Sequence, residues 1–122
     1  MAWGVDEGAQ MIAVSEATKV YLFAEATDMR RGFDGLSLMV KQQGLELFSG
    51  HLFVFISKRG DRMKILTWER GGFVLWYKRL ERGTFKRVRG SGTLQVDRGA
   101  LALLLEGLDL SEVKRPARWS PK

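Results

Sequence analysis

The chain of 122 residues has no cysteine, which excludes disulfides and thiolate metal sites. It has one histidine, His51, too few for a histidine metal cluster. No uninterrupted apolar run approaches the ~20 residues that a membrane span needs. The opening MAWGVDEGAQMIAV lacks both the basic start and the apolar core of a signal peptide. A reducing cytoplasm is therefore the expected compartment, with no membrane partner. The strings GxxxxGK[ST], HExxH and GxSxG are absent, so nothing points to a phosphate-loop enzyme, a zinc protease or a serine hydrolase. No cofactor is expected.

What is present is a folded-protein composition, 45% hydrophobic and 11% aromatic, with a formal net charge of +6. The length fits one domain. The charge is uneven. Residues 58–89 hold eleven Lys and Arg against three Asp and Glu, whereas residues 1–57 hold four against seven. A basic middle behind an acidic start points to an anionic partner for one face, and nucleic acid is the leading candidate.

Strand-length apolar runs alternate with turn signals through that basic middle. Lys19–Glu25 reads as a first strand. Thr27 or Asp28 then offers a helix cap, and Met29, Phe33, Leu36 and Val40 fall on one helical face, with the helix ending at Gly44. Leu52–Ile56, Arg62–Glu69 and Phe73–Leu80, joined by Lys58-Arg-Gly60 and Arg70-Gly-Gly72, read as a three-stranded antiparallel meander. Gly71 and Gly72 are expected to supply the positive φ angles of the second turn. Thr93–Val96 reads as a last short strand. Asp97 caps a second helix with the stripe Leu101, Leu104, Leu105 and Leu108.

The expected fold is a single α+β domain over residues 12–110, a mainly antiparallel sheet with two packed helices. Residues 1–11 read as a flexible extension and 111–122 as a flexible basic tail holding Pro116 and Pro121. Leu52–Ile56 and Phe73–Tyr77 are apolar at consecutive positions, so both sheet faces need cover. The helices would supply one cover, and a partner, a second copy or stacked bases the other. A homodimer follows as a possibility from that half-covered sheet.

Four blocks carry a resemblance: Thr27-Asp-Met-Arg-Arg-Gly-Phe-Asp-Gly-Leu36, Phe48-Ser-Gly-His-Leu-Phe-Val-Phe55, Arg59-Gly-Asp-Arg-Met-Lys-Ile-Leu66 and Tyr77-Lys-Arg-Leu-Glu-Arg-Gly83. In this order they closely resemble the TnpB-type accessory protein, or second open reading frame product, of the IS-sixty-six insertion-sequence family. That family is distinct from the far larger RNA-guided nuclease that shares the TnpB name. The resemblance implies a bacterial, non-catalytic protein that supports DNA transposition beside a separate transposase, its expected partner. The chain departs from the family pattern after Phe85, where Lys86, Arg87, Val88 and Arg89 replace an aromatic and a proline.

The candidate phosphate contacts are Arg30, Arg31, Lys58, Arg59, Arg62, Lys64, Lys78, Arg79, Arg82, Lys86, Arg87 and Arg89. Arg30 and Arg31 fall in the first turn of the predicted helix, where the macrodipole disfavours cations unless an anion docks there. The competing account is local pairing, Arg30 with Asp34 and Arg31 with Asp28 or Glu25. Arg62 and Lys64 share a strand face, and Lys78 and Arg79 must oppose each other. A solvated edge that resists aggregation is the bland alternative for this cluster. The aromatics Phe53, Phe55, Trp68, Phe73, Trp76, Tyr77 and Phe85 fit either a core or a base-stacking platform. Asp28, Asp34, Asp61, Glu69 and Glu81 could in principle seat a nuclease metal, but basic neighbours make structural pairing the expected role. Gly35 inside the helix suggests that another backbone approaches it closely.

Overall fold

The computed structural model describes residues 17–85 and 90–105. The elements run β1 (Val20–Phe23), α1 (Phe33–Gln42), β2 (Leu52–Ile56), β3 (Arg62–Glu69), β4 (Gly72–Arg79), β5 (Thr93–Val96) and α2 (Arg98–Leu105). The five strands form one sheet in the order β4-β3-β2-β1-β5. β1 and β2 are parallel because α1 carries the chain back between them. The other three pairs are antiparallel, so the α+β reading holds, with the expected meander β2-β3-β4 on one side of β1 and β5 on the other.

All five residues of β2 are buried, and the reason is internal. Leu52, Val54 and Ile56 face Leu101, Leu104 and Leu105 of α2, together with Val20, Leu22, Met63, Ile65 and Phe85. Phe53 and Phe55 face Leu36 and Val40 of α1, together with Phe23, Leu47 and Leu66. The two helices therefore take opposite faces. The expectation that both would cover one face and leave the other for an outside partner is corrected: consecutive apolar residues in β2 record a strand enclosed by its own chain.

Local signals explain the boundaries, with three adjustments. Asp97 Oδ1 accepts the Ala100 amide at 2.7 Å and opens α2 as expected. α1 starts later than its spacing predicts, at Phe33, behind Gly32, with no side-chain cap. Asp28 instead accepts the Arg30 amide at 2.9 Å and closes a turn ahead of the helix. Met29 consequently lies outside the helix and Phe33 stays 39% exposed, while Leu36 and Val40 form the buried stripe. Gly44, at φ 75°, ends the helix where predicted.

In the β3–β4 hairpin the positive φ angles fall at Arg70 (53°) and Gly71 (83°), one residue earlier than expected. The Glu69–Gly72 pair closes the ladder, leaving a two-residue turn that needs left-handed backbone at both positions. Gly35 is approached by the Arg31 side chain, 3.2 Å from where a Cβ would sit, and not by another backbone. Leu108 and both terminal segments lie outside the described residues.

Candidate nucleic-acid interface

The carboxyl ends of parallel β1 and β2 open onto two loops, residues 24–32 and 57–61. The second is a tight turn in which Gly60 donates to the Ser57 carbonyl and Ser57 donates its amide to Arg62 O. The chain returning from β4 is laced to it: Leu80 donates to Asp61 O at 2.8 Å and Phe85 to Gly60 O at 2.6 Å. Gly60 has φ 81°, and a Cβ there would stand 3.2 Å from Thr84 Cβ. Three segments distant in sequence thus meet at one end of the sheet, and most of the predicted bases come with them.

Between the two loops runs an open groove of ≈ 570 Å³, whose walls include Thr27, Asp28, Arg30, Lys58, Arg59, Asp61 and Arg62. Arg62 and Arg79 are cross-strand partners on the α1 face of the sheet, and Lys64 lies two residues further along the same face, as the alternation predicts. Lys58, Arg59 and Arg82 are exposed and make no hydrogen bond or ion pair among the described residues.

The remaining bases divide by what they hold. Arg30 grips Asp28, with Nη2 at 2.7 Å and Nε at 3.1 and 3.2 Å from its oxygens. This bidentate pair holds the Asp28 carboxyl well below the usual carboxylate range and raises the Arg30 guanidinium. Local pairing is therefore real, though the partner is Asp28 rather than Asp34. Among the described residues the Arg31 side chain reaches only the Gly35 carbonyl, at 3.5 Å. Arg79 pairs with Glu81 at 3.3 Å in the open. Lys64 donates to the carbonyls of Met29 and Arg31 at 2.9 and 2.8 Å, pinning the β1–α1 loop to the sheet, and its ammonium stands 5.6 Å from the Tyr77 ring centre. Lys78, on the opposite face, donates to Leu105 O of α2 at 2.7 Å. Lys86, Arg87 and Arg89 lie outside the described residues.

The aromatics separate in the same way. Phe53, Phe55 and Phe85 are core, and Trp76 packs against the α2-side core. Tyr77 is 49% exposed. Trp68 and Phe73 join Phe33 and Phe48 in a run of ring contacts with centroids 4.7 to 5.3 Å apart beside α1. The sequence reading missed Phe33 and Phe48 as surface groups. The helix spacing that assigned Phe33 to the core is correct for its successors but not for a residue at the helix start, and Phe48 lies in a loop without periodicity. Of the carboxylates, Asp28 and Glu81 are paired with arginines and Asp61 accepts from Ser57 Oγ at 3.3 Å. Among the described residues no three metal-binding side chains come together.

Residues 18–115 match the family described as IS66 Orf2 like protein. Two curated relatives come from Sinorhizobium fredii (strain NBRC 101917 / NGR234). Uncharacterized protein y4jC is 35% identical over 108 residues, covering 86% of this chain and 92% of its own. Uncharacterized protein y4hO is 34% identical over 102 residues, covering 81% and 88%. No solved structure matches the chain. Among the described residues no helix is long and apolar enough to cross a membrane.

Proposed function

The chain belongs to the IS66 Orf2-like family, and on that premise we propose that it is a non-catalytic accessory protein of bacterial DNA transposition whose basic sheet end contacts nucleic acid. Family membership implies the accessory role in transposition. The nucleic-acid contact is supported by one observation above others: Lys58 and Arg59 line the groove beside Arg62, Arg82 lies in the segment laced to the same turn, and none of the three has an ion-pair partner among the described residues. Cations held near one another without partners repel, and a phosphate backbone offers charge at the right density to relieve that repulsion. Arg30 and Arg79, each tied to an exposed carboxylate, stand at the border and can exchange partners at low cost.

The test is a fluorescence-anisotropy titration of duplex and single-stranded oligonucleotides at several salt concentrations. Contact with about five phosphates on duplex predicts a log–log salt slope of about −4 to −5. Absence of binding at low salt overturns the reading.

A second reading rests on a different observation. Phe33, Leu38, Phe48, Leu75 and Tyr77 are exposed large apolar groups. They suit an adaptor that docks on the transposase, or on a second accessory protein, without touching DNA. Capture of the transposase in nuclease-treated extract, with no DNA binding, favours it. A homodimer would use β4, an outermost strand of the sheet that leaves Leu75 and Tyr77 exposed on its α1-side face.

A further inference from the structure

Two buried side-chain polar atoms lack a hydrogen-bond partner among the described residues, Thr27 Oγ1 and Arg62 Nε. Such orphans are rare in folded proteins because each forfeits its bonds to water, so each asks for an explanation. Both belong to residues that line the groove between the 24–32 and 57–61 loops. Their backbones are already committed: the Thr27 amide donates to Ile56 O at 2.9 Å and the Arg62 amide to Ser57 Oγ at 3.1 Å. Thr27 is only 4% exposed. What is missing is therefore a hydrogen-bond partner for one side-chain atom on each of two groove-lining residues, both of which can donate.

The charge of the groove says what kind of acceptor. Arg30, Lys58, Arg59 and Arg62 face Asp28 and Asp61. Asp28 is held by Arg30, while Asp61 accepts only from the neutral Ser57 Oγ and still offsets one cation, so Lys58, Arg59 and Arg62 together leave a surplus of two positive charges. A water molecule could satisfy one orphan and neutralise nothing. A tetrahedral oxyanion offers several acceptors in different directions together with the compensating charge. The groove is open and larger than a single ion needs, so a chain can continue through it on either side.

We propose that this groove is a phosphate subsite that seats one phosphodiester group of a nucleic-acid backbone against Thr27 and Arg62. The proposal rests on the nucleic-acid reading and deepens it by fixing where one phosphate sits. The Arg62 Nε–H and the Thr27 hydroxyl donate to its oxygens, and Lys58 and Arg59 supply charge from the rim.

The test uses the full chain with Thr27→Val, Arg62→Lys and Arg82→Gln, each measured for oligonucleotide affinity and for melting temperature. Thr27→Val removes a hydroxyl that has no internal partner, so the melting temperature should hold or rise, while affinity should fall several-fold. Arg62→Lys keeps the charge but loses the directed Nε donor, and should weaken binding about 10-fold. Arg82→Gln should cost only about twofold, as one rim contact among several. Inorganic phosphate should shift the Arg62 Nε–H resonance in the wild type and not in Thr27→Val. If DNA binds and Thr27→Val and Arg62→Lys bind as wild type, the subsite is overturned and the basic-end reading survives. If no DNA binds, the reading falls and the phosphodiester assignment with it. Should phosphate still shift Arg62 in that case, the groove is an anion site for an acidic protein surface, and the assignment to nucleic acid is wrong.

Discussion

Lys78 and Arg79 are neighbours in sequence and face opposite sides of the same strand. On the α2 side, Lys78 is bonded to the Leu105 carbonyl and surrounded by Met63, Ile65 and Trp76, so its charge closes a helix onto the sheet. On the α1 side, Arg79 stands beside Arg62 at the rim of the basic end, tied only to an exposed glutamate. α1 covers β1, β2 and the Leu66 region but leaves the outer part of β3 and β4 uncovered, where Leu75 and Tyr77 are exposed. Equal charges in one basic stretch thus serve different ends. A lysine with a backbone carbonyl in reach becomes a tether, as Lys64 also does, whereas Lys58 and Arg59 of the turn meet no such carbonyl among the described residues.

The contrast breaks most visibly in the core. Leu104→Ala removes a fully buried side chain from the α2 side and should cost about 2–5 kcal/mol. Leu38→Ala, on the outer side of α1, should change stability by no more than about 0.5 kcal/mol. Thermal or urea unfolding of both variants checks the difference. If the two cost the same, the division into a closed and an open face is wrong.

The paired basic residues come next. Lys78→Met leaves the Leu105 carbonyl without its donor and should destabilise by about 1–3 kcal/mol, with oligonucleotide affinity of the folded protein unchanged. Arg79→Met should lose no more than about 1 kcal/mol, because exposed ion pairs contribute little, and should weaken oligonucleotide binding. Opposite outcomes in the two assays are the signature of tether and contact. Arg70→Asn sharpens the comparison from neutral ground at the hairpin both faces share. Asparagine tolerates the φ of 53° better than arginine, so the melting temperature should rise by an amount worth about 0.4–1 kcal/mol.

Most of the fold could be read in the sequence, because strand-length apolar runs and turn residues act locally. Leu52–Ile56, Arg62–Glu69 and Thr93–Val96 are strands with those bounds. What could not be read was which cover each face receives. The run LFVFI states that both faces are buried and says nothing of whether a helix or a partner does it. The candidate site was legible only as a pool. Charge counting finds Lys64 and Arg59 equally, since nothing local reveals that a loop carbonyl from residue 29 or 31 will come within 3 Å of one of them. Thr27, one of the two expected helix caps beside Asp28, instead carries a buried hydroxyl without a partner among the described residues, a property that exists only after two distant loops meet.

His51 gives the smallest of the expected effects and tests the open face from the side of pH. Its Nδ1 accepts the Lys19 amide at 3.0 Å, which requires the neutral ring, and its ring stands edge-on to Tyr21 at 5.9 Å. Burial, aided by the nearby Lys19 charge, lowers its pKa below the ordinary 6.5. Between that ordinary value and the lowered one, the unfolded chain binds a proton that the folded chain refuses. Stability is therefore full above about pH 6.5, declines as pH falls through the lowered pKa, and then levels off. The Asp28 carboxyl, depressed by Arg30, acts in the same direction only below about pH 4, where the unfolded carboxylate takes up its proton, and solvent screening keeps its share small. The two steps separate on the pH axis. Denaturant midpoints measured from pH 8 to 5 should show the first step in the wild type and lose it in His51→Gln, which has no titrating ring. A step of the same size in His51→Gln would assign it to some other group.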